Sequence, residues 1–192
     1  MFISAQQWAD TAKIETLLDC VFGKERISKS SYSLRRNIEP VRGLSYVFRN
    51  REEILGTIRF WPVFLQDFMT GSMDKVLLLG PLAVCSTLQG QGVGTALIRK
   101  GLTAARFQGY HRIVLVGDKD YYARFGFKPV EPNRVKMPNG EDAERLLYLD
   151  LRQASDLPEL GALVPYAPLE SGGQETADCH QKGKWPFARL AS

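Results

Sequence analysis

Leu82-Ala83-Val84-Cys85-Ser86-Thr87-Leu88-Gln89-Gly90-Gln91-Gly92-Val93-Gly94-Thr95 is the stretch on which this chain turns. An apolar strand feeds a glycine-rich turn, and the turn opens an amphipathic helix. Gly90, Gly92 and Gly94 alternate, so successive backbone N–H groups can approach a ligand without a Cβ in the way. Amides at a helix start, backed by the helix dipole, attract an anion, most naturally a phosphate. The stretch therefore reads as a loop that holds a phosphorylated cofactor.

Upstream, Lys75 to Val84 is the most apolar strand, with Val76 to Leu79 uninterrupted, as expected when both faces are buried. Gly80-Pro81 sits inside it. Proline cannot donate to a ladder, so the pair predicts a bulge or a local parting of strands. Parting leaves the amides around Leu82 to Val84 free to pair with something other than a neighbouring strand. Downstream, Gly92 to Gln108 has a polar stripe at Thr95, Arg99, Thr103 and Arg106 and a broad apolar remainder, the pattern of a helix packed on a sheet. Ile113 to Val116 follows as a short buried strand, parallel to the first because a helical crossover separates them. Asp118 or Lys119 starts a short helix through Tyr121, Tyr122, Ala123, Arg124 and Phe125, stopped by Gly126. Phe127 to Val130 and Leu146 to Leu151 read as strands around a polar Pro138-Asn139-Gly140 turn.

Before the loop, Ile14, Leu17, Leu18, Val21 and Phe22 recur at helical spacing, with Asp10 or Thr11 as cap and Gly23 as stop. A polar helix is expected over Ser30 to Arg36. Leu44 to Arg49 and Ile54 to Trp61 form a hairpin around Asn50-Arg51-Glu52-Glu53. Pro62, and then Gln66 to Asp74, are expected as loop. After Arg152 the chain turns rich in Pro, Gly, Ser and Glu, with islands at Leu163-Val164-Pro165-Tyr166 and Trp185-Pro186-Phe187. The expected organisation is a domain over 1–152 and an extension over 153–192. The extension either packs on the domain through those islands or is partly disordered.

A chain of 192 residues suits one well-cored domain with an extension. Lys and Arg total 25 against 21 acids, a mild basic excess that suits an anionic cofactor and carries no basic run for nucleic acid. Cys20, Cys85 and Cys179 are scattered and odd in number, against a disulfide framework or a zinc site. The Met-Phe-Ile-Ser-Ala-Gln-Gln start lacks the pattern of a signal peptide, and no apolar run reaches membrane-spanning length. These features point to a cytoplasmic protein with no membrane partner.

Three cofactors compete for the loop. A nucleotide P-loop needs Gly-Lys-Ser/Thr after its glycines, and Gly94 is followed by Thr95-Ala96. A dinucleotide fold needs G-x-G-x-x-G, which Gly90-Gln91-Gly92-Val93-Gly94-Thr95 misses at its third glycine, although Asp118 could mimic a ribose-binding acid. The third reading matches best. Gln89-Gly90-Gln91-Gly92-Val93-Gly94 resembles Q/R-x-x-G-x-G/A, the pyrophosphate signature of the GNAT superfamily of acyl-CoA N-acyltransferases. Tyr122-Ala123-Arg124-Phe125-Gly126-Phe127 resembles that family's Tyr-x-x-hydrophobic-Gly-Phe. Gly-Pro-Leu-Ala-Val at 80–84, with Val-Gly-Asp-x-x-Tyr-Tyr-x-Arg-Phe-Gly-Phe at 116–127, is similar to its YhbS-like acetyltransferases.

The resemblance covers residues 1 to 152, most specifically 76 to 130. It implies a fold of α/β (α+β) type: a mixed, mostly antiparallel central sheet, splayed between two parallel strands and flanked by helices. Acetyl-CoA would lay its pyrophosphate on the amides of Gln89, Gly90, Gln91, Gly92, Val93, Gly94 and Thr95. Its pantetheine arm would run like an extra strand along Leu82, Ala83 and Val84, where amides also polarise the thioester carbonyl. Arg99, Lys119 and Arg124 are candidates for the adenosine-side phosphates or plain surface charges. Tyr122 stands at the family's general-acid position.

The base is open: Val76 to Leu79 offer no acid, leaving Asp67, Asp74, Asp118 or a water chain. His111 and His180 read as surface and tail histidines, and Cys85 as a small buried residue. The expected activity is direct transfer of acetyl to a primary amine of a small molecule or peptide, without a metal, by a monomer or homodimer. A catalytically weak acyl-CoA-binding regulatory module and a dinucleotide-dependent oxidoreductase are the alternatives. The acceptor pocket is expected from the first helices and the Gln66 to Asp74 loop, with the tail as a further candidate.

Overall fold

Apolar and β-branched runs in this chain pair side by side, and the helices cover the two faces that result. A computed structural model describes residues 1–140, 143–152 and 157–166. The chain opens with β1 (Phe2–Ala5), then α1 (Thr11–Phe22), a 3-10 turn over Lys24–Ser28 and the single turn α2 (Ser30–Ser33). Strands β2 (Tyr46–Arg49), β3 (Ile54–Asp67) and β4 (Met73–Val84) follow, then α3 (Val93–Phe107), β5 (Arg112–Val116) and α4 (Lys119–Ala123). The last strands are β6 (Lys128–Pro129), β7 (Val135–Lys136), β8 (Leu146–Asp150) and β9 (Gly161–Pro165).

The order across the sheet is β1-β2-β3-β4-β5-β8-β6, with β9 paired to β3 and β7 paired to β9. All pairs are antiparallel except β4–β5 and β7–β9. The expected mixed, mostly antiparallel sheet with a parallel pair is therefore present. A dinucleotide fold would require a doubly wound parallel sheet, which this is not. On one face α3 sets Leu97, Ile98, Leu102 and Ala105 against Phe60, Leu77, Leu79 and Ile113. Gly101 lets the helix lie this close, since a Cβ there would come within 2.4 Å of the Phe60 ring. On the opposite face α1 places Ile14, Leu17 and Leu18 on Val47, Ile54 and Ala83.

Four local expectations need correction. The helix expected over Ser30 to Arg36 holds for one turn, because Ser, Thr and Asn-type residues favour turns over helix interiors. Pro62 lies inside β3, in register with Leu77. It is tolerated there because the outer neighbour of β3 changes from β2, which ends opposite Ile58, to β9, which begins opposite Val63. Gln66 and Met73–Asp74 likewise belong to strands, leaving a short turn between Asp67 and Ser72 closed by a 2.9 Å backbone bond. Asp10 is the N-cap residue of α1, yet its carboxylate bonds no amide of that helix; it closes a capping box on the preceding 3-10 turn, accepting from the Gln7 amide at 2.8 Å, and pairs with Arg49.

Leu163 and Val164 supply part of β9, and Tyr166 stacks on Phe64 with ring centroids 5.0 Å apart. Trp185-Pro186-Phe187, Cys179 and His180 lie outside the described residues. Among the described residues, no helix is long and apolar enough to cross a membrane.

Candidate active site

The two central parallel strands pair at Leu77 with Ile113 and at Leu78 with Val114, and then separate. The separation begins at Gly80-Pro81, as the proline predicts. Ile58 faces Leu82 and Phe60 faces Leu79, so Gly80 and Pro81 together stand opposite Arg59 as a bulge. The Gly80–Pro81 peptide is cis, and Gly80 has φ +129°, a conformation that side chains rarely adopt. Trp61 Nε1 donates to the Gly80 carbonyl at 2.6 Å and fixes the bulge. Beyond it, Leu82, Ala83 and Val84 pair with β3 on one side and, among the described residues, have no strand on the other. The wedge between β4 and β5 is a cavity of about 230 Å³, bounded by Leu79 to Leu82, Val116, Gly117 and Tyr122.

The glycine loop lies at the end of the free strand edge. Gly90 and Gly92 take φ of +78° and +82°, and a Cβ at either would meet nothing within 4 Å. Backbone conformation, then, demands glycine at these two positions, and the space beside them is open. Gln89 Nε2 donates to the Val84 carbonyl at 3.2 Å and Gln91 Nε2 to the Thr87 carbonyl at 2.9 Å. Both side chains thus brace the loop from within. Helix α3 starts with Gly92 as N-cap and no side-chain cap, so the first-turn amides of Val93, Gly94 and Thr95 have no intrahelical or side-chain acceptor. Strand edge, loop and helix start are one continuous surface.

Helix α4 sets two tyrosines against this surface. Asp118 accepts from the Tyr121 amide at 2.7 Å and starts the helix. The Tyr121 hydroxyl lies over Gly94, 2.8 Å from where a Cβ would be. Arg124 stacks on the Tyr121 ring at 4.6 Å, one ring away from the helix start, while Arg99 and Lys119 are exposed. Tyr122 packs edge-on against Tyr121 and Phe127, at 5.0 and 5.6 Å, and lines the wedge. Burial, followed by the neighbouring Tyr121, raises the Tyr122 phenol well above its ordinary value.

None of the three acids considered for the base lines the wedge. Asp67 is occupied in the β3–β4 turn, where it accepts from Met69 and Thr70. Asp74 faces His111 at 2.9 Å and Arg112 at 3.6 Å. Asp118 is the α4 cap. The Gln66 to Asp74 segment also contributes nothing to the wedge, because it is the far end of the hairpin. Cys85 is half-buried with Sγ 3.4 Å from Thr87 Oγ1. That contact holds its thiol below the ordinary value.

A group of charged residues that the sequence reading did not assign completes the cavity. Arg26, Lys29, Arg35 and Arg145 line the wedge, and among the described residues no carboxylate does. Arg26, Arg35, Arg36 and Arg59 line an adjoining cavity of about 350 Å³, which holds one carboxylate, Glu15. Glu15 is already shared: Oε2 accepts from Arg26 and Oε1 from Arg59, each at 2.7 Å. Asp19 completes Arg26, and Gln6 completes Arg59. The available signal was Arg59 itself, an arginine inside the apolar run Ile54 to Trp61, since such residues are almost never fully buried unless paired.

The model of the Acetyltransferase (GNAT) family matches residues 11–127, more than half of the chain. The chain is 32% identical over 123 residues to "Uncharacterized N-acetyltransferase YjhQ" of Escherichia coli K12, covering 63% of this chain and 66% of that protein. It is 29% identical over 145 residues to "Uncharacterized N-acetyltransferase YhbS" of the same strain, covering 74% and 84%. Among solved structures, YhbS of Escherichia coli in complex with CoA superposes with a TM-score of 0.67 at 22% identity, covering 86% of this chain and 89% of that one. A GNAT acetyltransferase of Brucella melitensis in complex with acetyl-CoA gives 0.64 at 27% identity, covering 86% and 96%. The family match over more than half of the chain shows that this chain is a member of the GNAT acetyltransferase family.

Proposed function

We propose that this chain binds acetyl-CoA and transfers its acetyl group to a primary amine of a small molecule. The observation that carries the reading is the continuity of three features: the unpaired edge at Leu82 to Val84, the open loop at Gly90 to Gly94, and Tyr122 in the wedge between β4 and β5. The CoA and acetyl-CoA held by the two similar solved structures support the cofactor. Pyrophosphate would meet the amides of Gln89 to Thr95, with Arg124 beside them. Pantetheine would pair with Leu82, Ala83 and Val84 as an added strand.

In the transfer, the amine nitrogen bonds to the thioester carbon, the carbon–sulfur bond breaks, and one proton of the amine ends on sulfur. Backbone amides at the edge of β4 steady the oxyanion between these steps. Tyr122 acts as the hydrogen-bond donor to the departing sulfur. Its raised phenol is a weaker acid than a thiol of pKa near 8.5. Complete proton donation is therefore uphill, and the role that fits is a shuttle that regains its proton from the newly formed ammonium. The starting amine loses its charge to a water chain, since among the described residues no carboxylate lines the wedge.

That absence also favours a second reading, acyl-CoA binding without turnover. Calorimetry with acetyl-CoA, CoA and NAD(H), followed by thiol release over an amine panel, separates the two. Binding of acetyl-CoA with thiol release supports transfer. Binding with no release from any amine supports the regulatory module, and tight binding of NAD alone overturns both.

A further inference from the structure

Arg35 is a buried cation of the acceptor side that has no counter-charge among the described residues. Arg26 and Arg59 are each tied to carboxylates, whereas among the described residues Arg35 forms no ion pair. Its guanidinium lies 4.6 Å from the Tyr32 ring and 5.9 Å from the Trp61 ring. Nε and Nη1 are buried with no hydrogen-bond partner among the described residues. Nη2 sits 3.3 Å from where a Cβ on Gly80 would be, and Gly80 and Arg35 both line the wedge. Burial, with the like charges of Arg59 and Arg26 and against the pull of Tyr32, pushes Arg35 down to about 10. It is still a cation at neutral pH.

A buried charge without a partner is costly, and buried donors without acceptors are rare in native proteins. Tyr32 and Trp61 hold the guanidinium in place by stacking, and the Tyr32 hydroxyl, which accepts from Arg26 and also draws on Arg35, leaves Nε and Nη1 without an acceptor among the described residues. Aromatic stacking on one side and cationic neighbours on the other define a receptor for an anion. Glu15 is not that anion, because its oxygens face Arg26 and Arg59 and form no ion pair with Arg35.

We propose that the acceptor is a small amine that also carries an anionic group, a carboxylate or a phosphate, which seats on Arg35 beside Gly80. The proposal rests on the acyltransferase reading, since it names the substrate class of that site. Gly80 and Leu82 are two residues apart, on the order of 7 Å along a strand. An anion at the first and a thioester at the second suit a molecule whose anion and amine are a few bonds apart. The same cationic wall disfavours an ammonium ion, so it also helps the bound amine to become the neutral nucleophile.

The test uses pairs of amines that differ in the anion: γ-aminobutyrate with butylamine, lysine with cadaverine, and phosphoethanolamine with ethanolamine. Binding is followed by saturation-transfer NMR on the protein with and without CoA, and turnover by thiol release from acetyl-CoA. The anionic member of at least one pair is expected to exceed its partner by about tenfold or more. Inorganic phosphate should displace it. Whether the carboxylate or the phosphate pairs respond identifies the anion. Arg35→Met should abolish the advantage while acetyl-CoA affinity stays unchanged by calorimetry.

Equal binding of both members of every pair overturns the proposal. So does an advantage that survives Arg35→Met or resists phosphate. The NMR comparison without CoA, and phosphate competition on the unaltered chain, judge the anion site even if acetyl-CoA fails to bind or Arg35→Met fails to fold. Failure of acetyl-CoA binding counts against the acyltransferase reading alone.

Discussion

The Tyr122 ring lies so close to Gly117 that a Cβ on Gly117 would come within 2.5 Å of the ring's Cε2. Gly117 follows β5 at the mouth of the wedge, so the absence of a side chain there gives the phenol its position. Gly117→Ala should push the ring away from the parted strands. Misplacement by about 1 Å can cost roughly 10²-fold in rate. The expected outcome is a large fall in kcat with acetyl-CoA affinity unchanged, measured by thiol release and calorimetry.

Tyr122→Phe removes the hydroxyl and leaves the packing with Tyr121 and Phe127 in place. A positioned acid or donor contributes about 10² to 10⁴ in rate. Turnover should fall by that order while the melting temperature changes little. Unchanged turnover would remove Tyr122 from the mechanism.

Tyr46, Tyr110 and Tyr122 are all raised by burial. Tyrosines of an unfolded chain ionise near pH 10. Above that value the unfolded chain holds fewer protons than the folded one, so stability falls as pH rises. The contribution is complete below about pH 10 and is lost as pH climbs through the folded values. Melting temperatures should be level between about pH 7 and 9 and decline beyond 10. Arg35, lowered to about 10, acts in the opposite sense in that range. The comparison of Tyr122→Phe with the unaltered chain isolates the phenol: the variant should decline less steeply.

Gly92→Leu tests the loop. A side chain at φ +82° costs about 1–2 kcal/mol, and the open space around it adds no clash. The chain should fold with a modestly lower melting temperature, and acetyl-CoA affinity should drop by a much larger factor than stability accounts for. Equal affinity would count against the loop as the pyrophosphate site.

Glu15→Gln leaves Arg26 with Asp19 and Arg59 with Gln6 and removes the charge that both share. Hydrogen bonds to charged groups contribute about 1.5–3 kcal/mol each, and Glu15 is 42% exposed, which tempers the loss. A decrease in melting temperature is expected, together with tighter binding of inorganic phosphate to the more cationic cavity.

Much of the cofactor half was legible in the sequence because its signals are local. A glycine spacing, a proline in a strand and a helical stripe each act within one turn or one strand, so they survive being read without neighbours. Gly80-Pro81 is the clearest instance. The missing N–H argued for a parted strand, and the register shows two residues opposite one at Arg59. Pro62 misled the same reasoning, since its tolerance depends on where β2 ends and β9 begins, more than a hundred residues apart in the chain.

The acceptor half was not legible. Its residues, Glu15, Arg26, Arg35, Arg59 and Arg145, come from α1, the turn after it, the segment after α2, the middle of β3 and the approach to β8. Apart from Arg59, which stands inside an apolar run, each alone reads as an ordinary surface charge. Whether a given arginine is paired depends on which carboxylate the fold brings within about 3 Å, and that distance is set by sheet register and helix docking.

By itself, then, the sequence determined the loop over Leu82 to Thr95, the parting at Gly80-Pro81 and the aromatic register that ends at Phe127. Backbone conformations and periodicities of that kind are encoded within a few residues. Only the tertiary structure decided that Glu15 is spent on Arg26 and Arg59 while Arg35, beside Gly80, has no ion pair among the described residues. Charge compensation is a property of distances across the fold, and no window of sequence contains it.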